Sequence, residues 1–110
     1  MSYPAHYEKI RRLYPDVMTA FEQVGDTLRQ LSPLTAREQH LVKLALALGA
    51  GLEGAVHSHA RRALAGGLTE DEVRFACLLA VTTIGFPAMA RGMSWLEDVI
   101  DTHHSTTPTS

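Results

Sequence analysis

Three imidazoles and a carboxylate gather around one glycine hinge: His40, Glu53, His57 and His59, on either side of Gly49-Ala50-Gly51. Glu53 and His57 are four residues apart, so on a helix they share a face and can meet. A carboxylate beside an imidazole favours the charged ring and fixes its tautomer. His59 stands two residues further on and points toward the face carrying Ala55, Val56, Arg62 and Ala63. If that face packs on the preceding helix, His59 lies at the edge of the buried layer with His40 as a neighbour. A histidine so placed is a candidate general acid or base in a small pocket lined by Leu52, Ala55 and Phe86, with Glu53 and His57 as substrate-binding groups. Arg61, Arg62 and Arg91 supply guanidinium groups, and one near His59 can hold a carboxylate through two parallel hydrogen bonds. The plainer alternative is a part-buried His59 bonded to a backbone carbonyl, an exposed Glu53–His57 pair and solvated arginines.

Other chemistries find less support. His40, Glu53, His57 and His59 are all metal-ligand types, but His-x-His on a helix sets two imidazoles about 200° apart, a poor arrangement for one ion. Neither HExxH nor a cysteine ligand set is present. No dedicated metal site is expected, and ions collected on His103-His104 would be adventitious. Cys77 is the only cysteine, flanked by Ala76 and Leu78. An apolar setting raises a thiol pKa and makes it inert. Ser58 lies between two histidines, yet adjacent helix residues do not face one another.

The elements that must position these groups read as helices throughout. Tyr3, Tyr7, Ile10, Leu13 and Tyr14 recur at helical spacing ahead of Pro15. A second helix, 16–30, repeats Val17, Met18, Phe21, Val24 and Leu28, and Leu31-Ser32-Pro33 closes it. Thr35 and Glu38 form a capping box that starts a third helix. Its run of Leu41, Val42, Leu44, Ala45, Leu46 and Leu48 is apolar on nearly every side, predicting a central, buried helix that ends at Gly49 and Gly51. A fourth helix, 52–65, ends in Gly66-Gly67. Thr69 and Glu72 make a second capping box, with Leu68 and Val73 as its hydrophobic staple. The fifth helix, 70–83, is expected to bury Val73, Phe75, Ala76, Leu78, Leu79 and Val81 until Ile84-Gly85-Phe86-Pro87 breaks it. The sixth, 87–100, carries Met89, Met93, Leu96 and Ile100 on one face. No alternating strand pattern occurs, so the class is all-α, one helical domain over 1–100 with a Ser/Thr/Pro-rich tail, 101–110, expected to fray.

A chain of 110 residues that is 45% hydrophobic and 20% charged is too apolar for disorder. Its net charge of -2, with ten dispersed Lys and Arg, lacks the basic cluster that nucleic acid requires. The longest apolar run, 41–52, contains Lys43 and is too short to span a bilayer. The opening residues lack a signal-peptide pattern. A cytoplasmic protein is expected, with no nucleic-acid or membrane partner. Residues 41–48 and 75–84 carry more apolar circumference than a small monomer can cover, which predicts helix packing between subunits.

Taken together, Leu34-Thr-x-Arg37-Glu38, the Ala/Leu-rich helix to Gly51, His59-x-Arg61-x-Ala63-Leu64, Gly67-x-Thr69-x-x-Glu72 and Gly85-x-Pro87-Ala88 resemble the carboxymuconolactone decarboxylase family, which includes AhpD-like proteins. The resemblance covers about residues 30–100. It implies an all-α bundle of about six helices that interlock between subunits, commonly as trimers or hexamers. AhpD-like members run thiol peroxidase or reductase chemistry on a CxxC pair, with a His four residues after the second cysteine. Leu52 and Ala55 hold those two positions here, His59 keeps the histidine, and His40 falls where AhpD has an acidic proton-relay residue. A thiol mechanism at this site is therefore excluded. The decarboxylase branch needs no cofactor, and its His-x-Arg segment is similar to His59-Ala-Arg61.

Two functions follow from these readings. One is a cofactor-free enzyme acting on a small carboxylic acid or lactone, with His59 as acid/base, His40 beside it and Arg61 as anion holder. The other is a catalytically silent helical oligomer or small-ligand-binding protein on the same fold.

Overall fold

The computed structural model describes the backbone from residue 5 to residue 106 and the side chains from residue 6 to residue 103. Tyr3 and the last four residues of the tail therefore lie outside the described residues. Six α-helices follow one another with no strand among the described residues: α1 (Ala5–Leu13), α2 (Pro15–Leu31), α3 (Ala36–Ala50), α4 (Glu53–Ala65), α5 (Glu70–Leu78) and α6 (Phe86–Thr106), with a 3-10 turn at Leu79–Thr82. The chain divides into two compact units, Met1–Pro33 and Leu34–Ser110.

In the first unit Pro15 occupies the opening turn of α2, where its missing N–H leaves no bond unmade. Glu22 of α2 accepts from the Tyr7 hydroxyl at 3.0 Å and pairs with Arg11, whose guanidinium lies 5.4 Å over the Tyr7 ring. Met18 is the buried residue of α2, whereas Val17, Phe21, Val24 and Leu28 are exposed.

The second unit is built on both expected capping boxes. Thr35 Oγ1 accepts from Glu38 N while Glu38 returns to Thr35 N, and Thr69 and Glu72 do the same at the start of α5. Leu68 and Val73, the staple positions, are both buried. Arg37 fastens the two starts together: it donates to the Gly67 carbonyl at 3.2 Å and pairs with Glu72. Gly51 ends α3 in the left-handed conformation, φ +70°, with its N–H turned back to Ala47 and Leu48. Gly49 stays helical.

The α3 helix packs on α4, α5 and α6. It buries Leu44, Ala47 and Leu48, but leaves Val42 and Leu46 exposed, so it is central without being covered on every side. The α5 region differs from expectation in the same way. Its α-helix stops at Leu78, the 3-10 turn follows, and Phe75, Leu78, Leu79 and Val81 are exposed while Val73 and Cys77 are buried. Apolar sequence on these two helices records surface as well as core. The sixth helix runs on past the expected end at Ile100, because Val99 and Ile100 are core residues and the Thr102 hydroxyl donates to the Asp98 carbonyl at 2.9 Å.

Helix α6 reaches its neighbours through Gly92. A Cβ there would lie 2.7 Å from Leu48 Cδ2 and 3.3 Å from Cys77 Sγ, so only a hydrogen atom fits between α3 and α5 at this level. Arg74 of α5 grips Glu97 of α6 with two bonds, 2.7 and 3.1 Å.

Candidate functional site

The α4 helix carries two different constellations on two sides, because residues 57 and 59 are separated by about 200° around its axis. On the side toward α3, half-buried His59 and His40 share one electrostatic neighbourhood with Lys43 and Arg62. Gly66, just past the end of α4, makes the room for it. A Cβ at that position would stand 2.6 Å from His40 Nε2, so the imidazole lies where a larger residue would put its side chain. His40 and Lys43 are three apart on α3, and His59 and Arg62 three apart on α4, which brings each pair to one face.

Burial first, then the charges of Arg62 and Lys43, hold His59 below the ordinary histidine pKa, with His40 a lesser cause. His40 is lowered too, by burial and then by Lys43 and Arg62. Both shifts favour the neutral ring, in a field made by cations. A neutral imidazole in such a field is a competent base, and an anion entering there would favour its protonated form.

On the other side, Glu53 and His57 turn toward α6. His57 Nε2 lies 4.0 Å from Glu53 Oε2 and 3.4 Å from Asp98 Oδ2. His40 and His59 thus share the α3 side with Lys43 and Arg62, whereas Glu53 and His57 face Asp98 on the α6 side. Arg61 is half-buried, two positions from His59 and so about 200° away around the helix. The cations acting on His59 are Arg62 and Lys43. Arg91 folds against the hinge instead. Its guanidinium lies 5.4 Å over the Trp95 ring, and its Nη2 would be 2.7 Å from a Cβ at Gly51.

Leu52 and Phe86 are exposed at the starts of α4 and α6, and Ala55 packs against the core. A cavity of about 530 Å³ opens elsewhere, between α3, α5 and the 3-10 turn. Leu41, Val42, Phe75, Leu79 and Ile84 line it, Glu72 and Thr83 are its polar members, and none of Leu52, Ala55 and Phe86 contributes. Cys77 is 1% exposed, its Sγ donates to the Met89 carbonyl at 3.3 Å, and burial pushes the thiol pKa up. That is a structural cysteine, not a nucleophile.

Sequence reasoning missed Lys43 and Asp98. Lys43 had a signal, its spacing of three from His40. Asp98 had none, since its distance from His57 in space is set by the packing of α4 on α6.

An all-α protein with two histidines in one cationic neighbourhood on its third and fourth helices is the class these features define. The sequence model of the carboxymuconolactone decarboxylase family matches residues 15–98, and the chain belongs to that family. The fold is similar to an apo carboxymuconolactone decarboxylase family protein from Legionella pneumophila, 22% identical, covering 87% of this chain and 86% of that one at a TM-score of 0.76. It is also similar to a carboxymuconolactone decarboxylase candidate from Burkholderia xenovorans LB400, 17% identical, covering 97% and 86% at a TM-score of 0.70. No curated protein matches the chain.

Proposed function

We propose that the chain is a cofactor-free enzyme of the decarboxylase type, acting on a small carboxylic acid or lactone with His59 as its acid/base. The observation that carries this is the half-buried His59–His40 pair flanked by Lys43 and Arg62. Such a site attracts an anion and supplies a proton-transfer group in one place. A bound carboxylate is held by Arg62 and Lys43, with Arg61 further round the helix. Its charge raises the pKa of His59, so the imidazole takes up a proton. As the C–C bond to the carboxylate breaks, CO₂ leaves and its electron pair remains on the substrate as an enolate. The His59 imidazolium then gives its proton to the enolate carbon. The ring returns to neutral, and one proton has been consumed for each CO₂ released.

The test is a screen of small carboxylic acids and lactones, reading thermal shift and CO₂ release for wild type and His59→Ala. A positioned general acid contributes roughly 10²–10⁴-fold, so His59→Ala is expected to lose at least about a hundredfold in turnover. Turnover that survives His59→Ala intact overturns the proposal. A thiol peroxidase reading is disfavoured, because the chain has one cysteine and that one is buried.

A second reading, a non-catalytic helical oligomer or small-ligand-binding protein, draws support from the exposed apolar rows. Phe21, Val24 and Leu28 on α2 and Phe75 and Leu79 near α5 are all at least 59% exposed. Exposed apolar rows of that kind, each in its own unit, are normally covered by a partner. Association as a trimer or hexamer fits both readings, and sedimentation analysis reporting a monomer at micromolar concentration would refute it. No helix among the described residues is long and apolar enough to cross a membrane.

A further inference from the structure

We propose that Glu53, His57 and Asp98 form a binding site for a divalent transition-metal ion, Zn²⁺ by its donor set, which ties α4 to α6. The site is independent of the reading given to His59. One donor atom from each of the three residues lies within 4.8 Å of the other two. Glu53 and His57 come from successive turns of α4 and Asp98 from α6, so helix packing, not chain proximity, assembles the set.

The strongest sign is the state of His57 Nε2. The atom is buried and has no hydrogen-bond partner among the described residues, although carboxylate oxygens stand 3.4 and 4.0 Å away. A buried ring nitrogen is ordinarily satisfied, and one aimed between two carboxylates without bonding either leaves a gap of defined chemistry. Zinc holds nitrogen and carboxylate ligands at about 2.0–2.2 Å, which sets tetrahedral donors roughly 3.3–3.6 Å apart. The His57–Asp98 separation already matches, the His57–Glu53 separation needs a movement of a few tenths of an ångström, and the two carboxylates, within 4.8 Å of each other, close by up to about an ångström. The Glu53 and Asp98 side chains are 57% and 65% exposed, so both are free to make that adjustment. Two carboxylates and a neutral imidazole neutralise a divalent cation, and three protein donors leave a fourth position to water. Zn²⁺ is preferred over Ca²⁺ or Mg²⁺, because those ions take oxygen ligands almost exclusively.

The experiment titrates tag-free, chelator-stripped full-length protein with ZnCl₂ by calorimetry. It uses a background carrying His103→Ala and His104→Ala, to remove the adjacent imidazoles at the chain's end. One equivalent of Zn²⁺ per chain is expected, together with a rise in melting temperature. Asp98→Asn and Glu53→Gln, both at exposed side chains, are each expected to weaken binding at least tenfold, and His57→Gln to abolish it. His59→Ala should leave the affinity unchanged, separating this site from the proposed acid/base. Absence of stoichiometric binding overturns the proposal, as does Zn²⁺ affinity that Asp98→Asn and Glu53→Gln leave unaltered.

Discussion

A single added methyl group tests how α6 is seated. Gly92→Ala places a Cβ 2.7 Å from Leu48 Cδ2 and 3.3 Å from Cys77 Sγ, where about 3.5–4.0 Å is comfortable for carbon. Leu48 and Cys77 are both buried, so neither yields without moving others. Overpacking of this kind costs about 1–3 kcal/mol. Exchanging glycine for alanine within a helix returns about 1 kcal/mol of intrinsic propensity. The net expectation is a loss of about 1 kcal/mol. Gly49→Ala is the control, since it also sits in a helix and a Cβ there meets nothing within 4 Å. It should gain up to about 1 kcal/mol from propensity alone. The same substitution at two glycines should therefore differ by about 2 kcal/mol, on the order of 10 °C in Tm for a domain of this size. Urea and thermal melts at one fixed protein concentration read the difference. A Leu48→Ala/Gly92→Ala cycle then isolates the clash. Leu48→Ala vacates the space that the new methyl needs, so the double variant should be more stable than the sum of the singles by about 1–2 kcal/mol. Gly92→Ala proving as stable as Gly49→Ala would refute the close-approach argument.

Two further outcomes follow from the titrating groups. His40 and His59 have folded pKa values below the ordinary 6.5, so between those values and 6.5 the unfolded chain binds protons that the folded chain refuses. Stability should fall as pH drops through that window and stay flat with respect to these groups above it; denaturant melts across the window should show a shallower slope for His40→Gln/His59→Gln, and an identical slope contradicts the assignment. Cys77, buried with a raised pKa, should not react with a thiol reagent in the native protein but should react fully in denaturant; rapid native labelling would mean that α5 and α6 open far more readily than their packing implies.

Much of this was readable in the sequence, wherever a short-range rule forces the outcome. Both capping boxes, the staple at Leu68 and Val73, the stop at Gly51 and the order of six helices all depend on groups within five residues of one another, so composition and spacing suffice. The family resemblance rested on the same local motifs in their order. That His59 would share a neighbourhood with His40 was an expectation conditional on the packing of α4 against α3, which the structure shows.

Tertiary structure decided the rest. Periodicity says which residues are apolar, not which of them a neighbour covers: Phe75 and Leu79 read as core and are exposed. The end of α6 moved from Ile100 to Thr106 because buried Val99 and Ile100 keep the helix in register. Most consequential is α4, where about half a turn of helix sends His57 to one side and His59 to the other. Sequence could assign Glu53 to His57's face and His59 to the other, but not the neighbours each would meet there. Only the packing of α4 between α3 and α6 gives His59 its cations, Lys43 and Arg62, and gives His57 its second carboxylate, Asp98, forty-one residues away along the chain.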